Sequence, residues 1–230
     1  RSHPPAWGTT TDREETTMTR ARTYKFYGTE FKASTAWGAT KTITGATNAS
    51  PCVITAVAHG IADSAPVKIL AVGGMTELNG HVYIAERVTD DTVRLLGVDA
   101  TGFGVFTSGG TLQQATMTAT CQETSYSFDS GSTPVTEDET NCGVAVSLGA
   151  PRLGSVSLNF KQADDTLQLA LEASRAAGSE MAFRVEVDGM PYLRYDVGYV
   201  TQLTEAGSAG ATWDGTASVT LTQARVKVAA

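Results

Sequence analysis

The chain has 230 residues, 41% of them hydrophobic and 18% charged, which is enough apolar material for one or two packed domains. Its 24 acidic side chains outnumber 17 basic ones, and the formal charge of -7 argues against a protein built to grip DNA, because that affinity comes from basic groups displacing counterions. No apolar run reaches the roughly 18 residues that a membrane-spanning helix needs, and the three cysteines, Cys52, Cys121 and Cys142, form neither an even disulfide framework nor the CxxC spacing of a zinc site.

Reduced thiols and synthesis in a cytoplasm are therefore expected. Charge is uneven along the chain: residues 1–46 hold seven basic and four acidic groups, residues 47–116 three and six, and residues 117–230 seven and fourteen. Residues 1–17, with His3, Trp7 and a threonine-rich run, show no period and are expected to be a poorly ordered arm. The mixture that follows, Tyr24, Lys25, Phe26, Tyr27 and Phe31, suits either a stacking platform for nucleic acid or an edge strand or docking arm. The acidic remainder of the chain favours the edge strand or arm.

From residue 47 the style of the sequence changes. Candidate strands at 52–58, 67–72, 82–88 and 92–97 are separated by the turn signals His59-Gly60, Gly73-Gly74-Met75, Asn79-Gly80 and Asp90-Asp91. Short strands so closely spaced predict a small β-barrel over residues 47–116. Its turns, Ala58-His59-Gly60-Ile61, the runs 73–80 and 97–104, and Ser108-Gly109-Gly110-Thr111, together resemble a module that recurs in phage proteins and is named after the first catalytic-cysteine half-domain of ubiquitin-activating enzymes. The resemblance implies a fold and no chemistry: Cys52 follows Pro51 in a strand, with no basic neighbour to lower its pKa.

Residues 116–126 read as the next strand. The polar stretch 129–141 carries Glu137, Asp138 and Glu139 without the spacing that wraps calcium, so a solvated contact loop is expected. In residues 155–161, Val156, Leu158 and Phe160 alternate with Ser157, Asn159 and Lys161, the period of a half-buried strand. Asp165 then offers an N-cap oxygen, Gln168 stands three residues on as its capping-box partner, and Gly178 supplies a left-handed stop, which predicts a helix over about 165–177. Its packed stripe is Leu167, Ala170, Leu171 and Ser174; Gln168, Glu172 and Arg175 are expected to face out. Phe183, Val185 and Val187 alternate with charged neighbours up to the turn Asp188-Gly189-Met190-Pro191, a hairpin whose second strand covers 192–201. A last run, 213–228, points Ala217, Val219 and Leu221 one way. The fold class expected is mainly β, a β-sandwich or barrel with one packed α-helix. Residues 1–46 and 117–230 form that domain, and residues 47–116 are a small β-barrel inserted in it.

With the insertion set aside, the order of the rest is distinctive. A strand ends in Ser125-Tyr126-Ser127-Phe128-Asp129, the acidic loop follows, then the strand 156–160, the helix after Asp165, and Phe183-Arg184-Val185-Glu186-Val187-Asp188-Gly189 with a further strand behind it. This succession resembles the tail tube (major tail) proteins of long-tailed bacteriophages. The resemblance implies a structural virion protein: hexameric rings stacked into a tube, a continuous β-barrel lumen through which DNA passes without specific binding, and helices outside. It implies assembly in the host cytoplasm, residence in the virion tail, and as partners further copies of the chain, the tape measure protein, the tail terminator and distal tail or baseplate proteins. Tyr24, Phe26, Tyr27, Glu137, Asp138 and Glu139 become the candidate ring-to-ring contacts. A second reading has the inserted module carry the function, in a virion decoration protein or one that binds host surfaces or glycans.

Signs of enzymatic chemistry are sparse. The sequence has no GxSxG, P-loop or HExxH, and Gly102-Phe103-Gly104 lacks the third glycine of a dinucleotide site. His59 and His81 flank turns, Asp164-Asp165 suit helix capping better than acid-base work, and Asn48-Ala49-Ser50 is a sequon read as chance. No catalytic residue, metal or cofactor is expected.

Overall fold

The computed structural model describes residues 23–131, 136–139, 145–148, 153–163 and 165–230, with 136–139 and 145–148 as backbone only. The structure is mainly β with one helix. A first strand, β1 (Glu30–Trp37), leads into the short strands β2 (Lys41–Thr42), β3 (Gly45–Ala46) and β4 (Val53–Thr55), then β5 (Ala65–Leu70), a 3-10 turn, β6 (Val82–Arg87), β7 (Thr92–Leu95) and the long β8 (Thr111–Thr120). After β9 (Glu123–Asp129) come β10 (Thr136–Glu139), β11 (Ala145–Leu148), β12 (Ser155–Lys161), α1 (Thr166–Ala177), β13 (Glu180–Glu186), β14 (Tyr192–Ala206), β15 (Asp214–Leu221) and β16 (Val226–Ala229).

The strands hydrogen-bond in the order β3-β4-β7-β6-β5-β8-β1-β13-β14-β15-β12-β9, with β2 also on β8 and β16 also on β14. The first part curls into a small barrel, because β2 pairs with β8 while β3, three residues on, pairs with β4. Its interior is apolar: Ile54, Val67, Ile69, Leu78, Leu95 and Leu112 have no exposed surface. Ile43 belongs to the same core, so packing of the barrel starts ahead of residue 47. At its far end, β8 leaves β5 and continues along β1, so one strand serves both bodies.

The second body is a sandwich around Phe31, Leu158, Phe160, Phe183, Val185 and Val219, with α1 laying Leu167 and Leu171 into the same core. The expected phase of β12 holds: Val156, Leu158 and Phe160 are buried and their neighbours are not. Phe160 lies opposite Gly215, where a Cβ would sit 2.2 Å from the ring, so that strand position admits no side chain. The helix is capped as its sequence predicts. The Asp165 side chain accepts from the Gln168 backbone N–H, and Gly178 turns left-handed at φ 58°. Gln168 itself differs from expectation. It is buried, its Oε1 accepting from Ala163 N and its Nε2 donating to Lys161 O, so it ties the incoming chain to the first turn instead of closing a capping box.

Four further readings are corrected. The strand after the aromatic arm is no edge: β1 starts at Glu30 and lies between β8 and β13. Residues 116–126 are not one strand; the chain turns at Cys121 and Gln122, sending β8 to β1 and β9 to β12. The acidic stretch is not simply a loop, since β10 pairs with β11 as an antiparallel hairpin, Thr136 opposite Leu148 and Glu139 opposite Ala145. The last run is two strands, β15 and β16, on the same side of β14.

Barrel and sandwich are fastened by more than the shared strand. Val82 and Ile84 on the outside of the barrel pack on Ala182, Tyr195 and Val197. Beside them the Glu180 carboxylate, almost fully buried, accepts from Val82 N at 2.6 Å and meets His81 Nδ1 at 2.9 Å. Its desolvation is offset by two strong bonds, which is the condition under which a buried carboxylate is tolerated.

Candidate assembly surface at the open corner of the sandwich

Because β8 and β9 follow each other in sequence but pair with different strands, the sandwich does not close between them. A groove of about 560 Å³ opens at that corner, walled by Phe26, Tyr27, Phe31, Tyr126 and Val185, with Cys121 at the turn. Three of its lining groups, Thr29 Oγ1, Thr120 Oγ1 and Glu123 Oε1, are buried atoms without a hydrogen-bond partner. Such atoms are uncommon in a settled interior. Burial pushes the Glu123 carboxyl above its ordinary value.

Thr120, Phe31 and Val185 of the lining begin an in-register row that runs on beyond the groove. Thr120 of β8 faces Phe31, Phe31 faces Val185, Val185 faces Arg194 of β14, and Arg194 faces Lys227 of β16. Residues directly opposite in a ladder share a face, so the row runs from apolar to cationic. Strand β9 crosses above it. Its Tyr126 ring lies 5.9 Å from Phe31, and the Arg225 guanidinium stacks 3.3 Å from the Phe128 centroid.

Under β9 sits a polar lock that no sequence period announces. Asp196, fully buried, accepts from Arg225 Nε on Oδ1 at 2.8 Å and from Nη2 on Oδ2 at 2.6 Å, while the Tyr126 hydroxyl donates to the same Oδ2 and accepts from Arg225. Burial together with the Asp196 charge raises the Tyr126 phenol well above its ordinary value. The partners of Asp196 lie 29 and 70 positions away in sequence.

Beyond the lock, Arg194 and Lys227 stand opposite each other. Among the described residues neither has a carboxylate within 4.0 Å; Arg194 donates to the Met190 sulfur, and both cations approach the Tyr192 ring, at 5.6 and 5.0 Å. A hydrogen bond from Arg194, with Lys227 and Arg225 near, holds the Tyr192 phenol below its ordinary value.

Of the residues predicted as contacts, Phe26 and Tyr27 reach this groove and are solvent-facing, Tyr27 94% so; Tyr24 is exposed but not among the lining residues. Glu137, Asp138 and Glu139 lie on β10, whose side chains fall outside the description. Elsewhere, Cys52 is buried with its thiol pushed up by burial, Cys121 is a free exposed thiol, and Cys142 lies outside the described residues. His59 accepts or donates only to backbone at Ile61 and Thr89, and the Asn48 amide holds the carbonyls of Phe103 and Gly104. Among the described residues no group of three His, Cys, Asp or Glu could hold a metal ion, and no helix is long and apolar enough to cross a membrane.

No family model and no curated protein matches the chain. What it does must be read from its own edges, groove and charges.

Proposed function

We propose that the chain is a structural subunit that assembles with itself, edge to edge, into the stacked hexameric rings of a long-tailed phage's tail tube. The observation that carries this reading is a pair of open sheet edges on one body. Among the described residues strand β9 is the end of the sheet, paired with β12 on one side only, and it contains neither Pro nor Lys. At the other flank β14 runs past β13: its pairing with β13 ends at Tyr199, and residues 201–206 pair with β15 alone. Both edges carry acidic side chains, Glu123 and Asp129 on β9 and Glu205 on β14, and a register shift beside them, at Asn159/Phe160 and Val200/Gln202, devices that temper an exposed edge without covering it. Two different open edges on one protomer fit head-to-tail association, which closes into rings or runs on as filaments.

The rest of the reading agrees with this geometry. A net charge of -7 lets DNA traverse a lumen without adhering. The barrel, anchored through β8 and Glu180, is carried on the ring body, and tube ends meet the tape measure, terminator and baseplate proteins. Electron microscopy and sedimentation of the purified chain over rising concentration test it. Rings or short tubes are expected; monomers at every concentration would overturn it.

A further inference from the structure

We propose that the groove between β8 and β9 is a binding site for a small molecule that carries a primary ammonium on an apolar body, the ammonium held by Glu123, Thr29 and Thr120 and the body lying against Phe26 and Tyr27. The site belongs to a single protomer and does not rest on how copies associate.

The sign of the ligand's charge follows from the lining. Of the side chains that wall the groove, Glu123 alone is charged, and Lys and Arg are absent from them. Its carboxyl is half-buried, the Asp165 charge adds to the effect of burial, and among the described residues no cation acts on it. A carboxylate taken from water without a cation is costly, so this groove repels an anion and gains from a cationic guest.

The kind of cation follows from the unpaired atoms. Thr29 Oγ1, Thr120 Oγ1 and Glu123 Oε1 are buried without hydrogen-bond partners, and all three residues line this groove. Topology brings them to one corner: Thr29 leads into β1, Thr120 ends β8 opposite Phe31, and Glu123 opens β9. Each oxygen can accept, and a primary ammonium offers three N–H donors; a quaternary one offers none. A bare metal ion asks for a shell of oxygens, whereas the walls here are aromatic. Phe26 and Tyr27 leave ring surface in solvent at the rim, while Phe31 and Val185 are core residues that only close the floor. Exposed rings beside a carboxylate suit a cation on an apolar body, because ring faces attract cations. The volume, about 560 Å³, lies within the roughly 300–1,000 Å³ of small-molecule pockets.

Titration of the full chain with phenethylamine, followed by amide NMR shifts, tests the proposal. Saturable shifts are expected at Thr29, Thr120 and Glu123. Phenethyl alcohol, neutral but of similar shape, and phenethyltrimethylammonium, charged but without N–H donors, should each bind at least about tenfold more weakly, the worth of one charge-assisted hydrogen bond. Glu123→Gln should weaken the amine by a similar factor and leave the alcohol unchanged. Tyr27→Ala, at a residue almost wholly in solvent, should keep the fold and weaken all three ligands. If the alcohol binds as tightly as the amine, the groove is an apolar cleft only and the proposal falls. Equal binding of the trimethylated cation would assign recognition to the ring faces instead of the three oxygens and would overturn it too. Binding of a lysine-containing peptide with none of the small amine would make the groove a protein-docking surface. Shifts confined to other parts of the chain, or none at all, would overturn the site outright.

Discussion

The barrel and the sandwich answer the same packing problem in opposite ways. The barrel closes on itself through β2 on β8 and β3 on β4 and fills its interior with mostly aliphatic side chains. The sandwich stays open at one corner, sets an ion pair in its interior, and leaves three oxygens without partners beside an exposed aromatic rim. A closed body has no use for a neighbour. The difference is the reason association is proposed for the sandwich, with the barrel carried along.

The largest expected effect breaks the sandwich at its polar lock. Asp196→Ala strands the buried Arg225 guanidinium, at a cost of about 3–5 kcal/mol, read as a shift in the urea midpoint at constant slope. Replacing the lock with apolar groups, Asp196→Leu with Arg225→Met and Tyr126→Phe, should return most of the loss. Failure of that recovery would mean the lock contributes net stability and does not merely avoid a penalty.

Next in size is Leu95→Ala in the barrel, which opens a cavity in a site without exposed surface and should cost about 2–5 kcal/mol. Because β8 runs through both bodies, a single unfolding transition should move as a whole. Two transitions, with only one displaced, would show that the barrel unfolds by itself. A smaller effect is expected at the latch between them. Glu180→Ala leaves the Val82 amide unpaired, for about 1–3 kcal/mol, and Glu180→Gln, which keeps an acceptor, should cost less.

Much of this architecture was legible in local sequence because it is local physics. The alternation of Val156, Leu158 and Phe160 and the caps Asp165 and Gly178 each depend on residues within a turn or a strand of one another. Gln168 was misread because helical periodicity sees an amide on the polar flank and cannot see the Lys161 carbonyl seven residues back. The break at Cys121 and Gln122 has no glycine or proline to mark it, since the two strands part by choosing different distant partners. The same limit hid the lock, whose members are separated by 29 to 99 positions. The exposure of Phe26 and Tyr27 follows from large aromatics beside basic residues in a polar stretch; that they flank a groove closed on its other side by Val185 is a fact of register alone.

The smallest effect addresses what the open corner leaves unspent. Burial raises the Glu123 carboxyl above its ordinary value of 4.5, with Asp165 adding to the rise. The folded chain thus holds that proton more tightly than the unfolded chain, and stability from this group is complete below the unfolded pKa and lost as pH climbs through the raised folded one. Glu123→Gln removes the titration while keeping the shape, so at pH 7 the variant should melt above the unaltered chain, and the gap should close as the pH falls below the ordinary carboxylate range. Because Glu123 is only half-buried, the gain should stay below about 1 kcal/mol. It should also shrink when the chain is assembled, if a neighbour's donor reaches Oε1 in the groove. A variant that melts lower at pH 7 in the dissociated chain would show that the ionised carboxylate already has a stabilising partner, and the corner would then be as complete as the barrel.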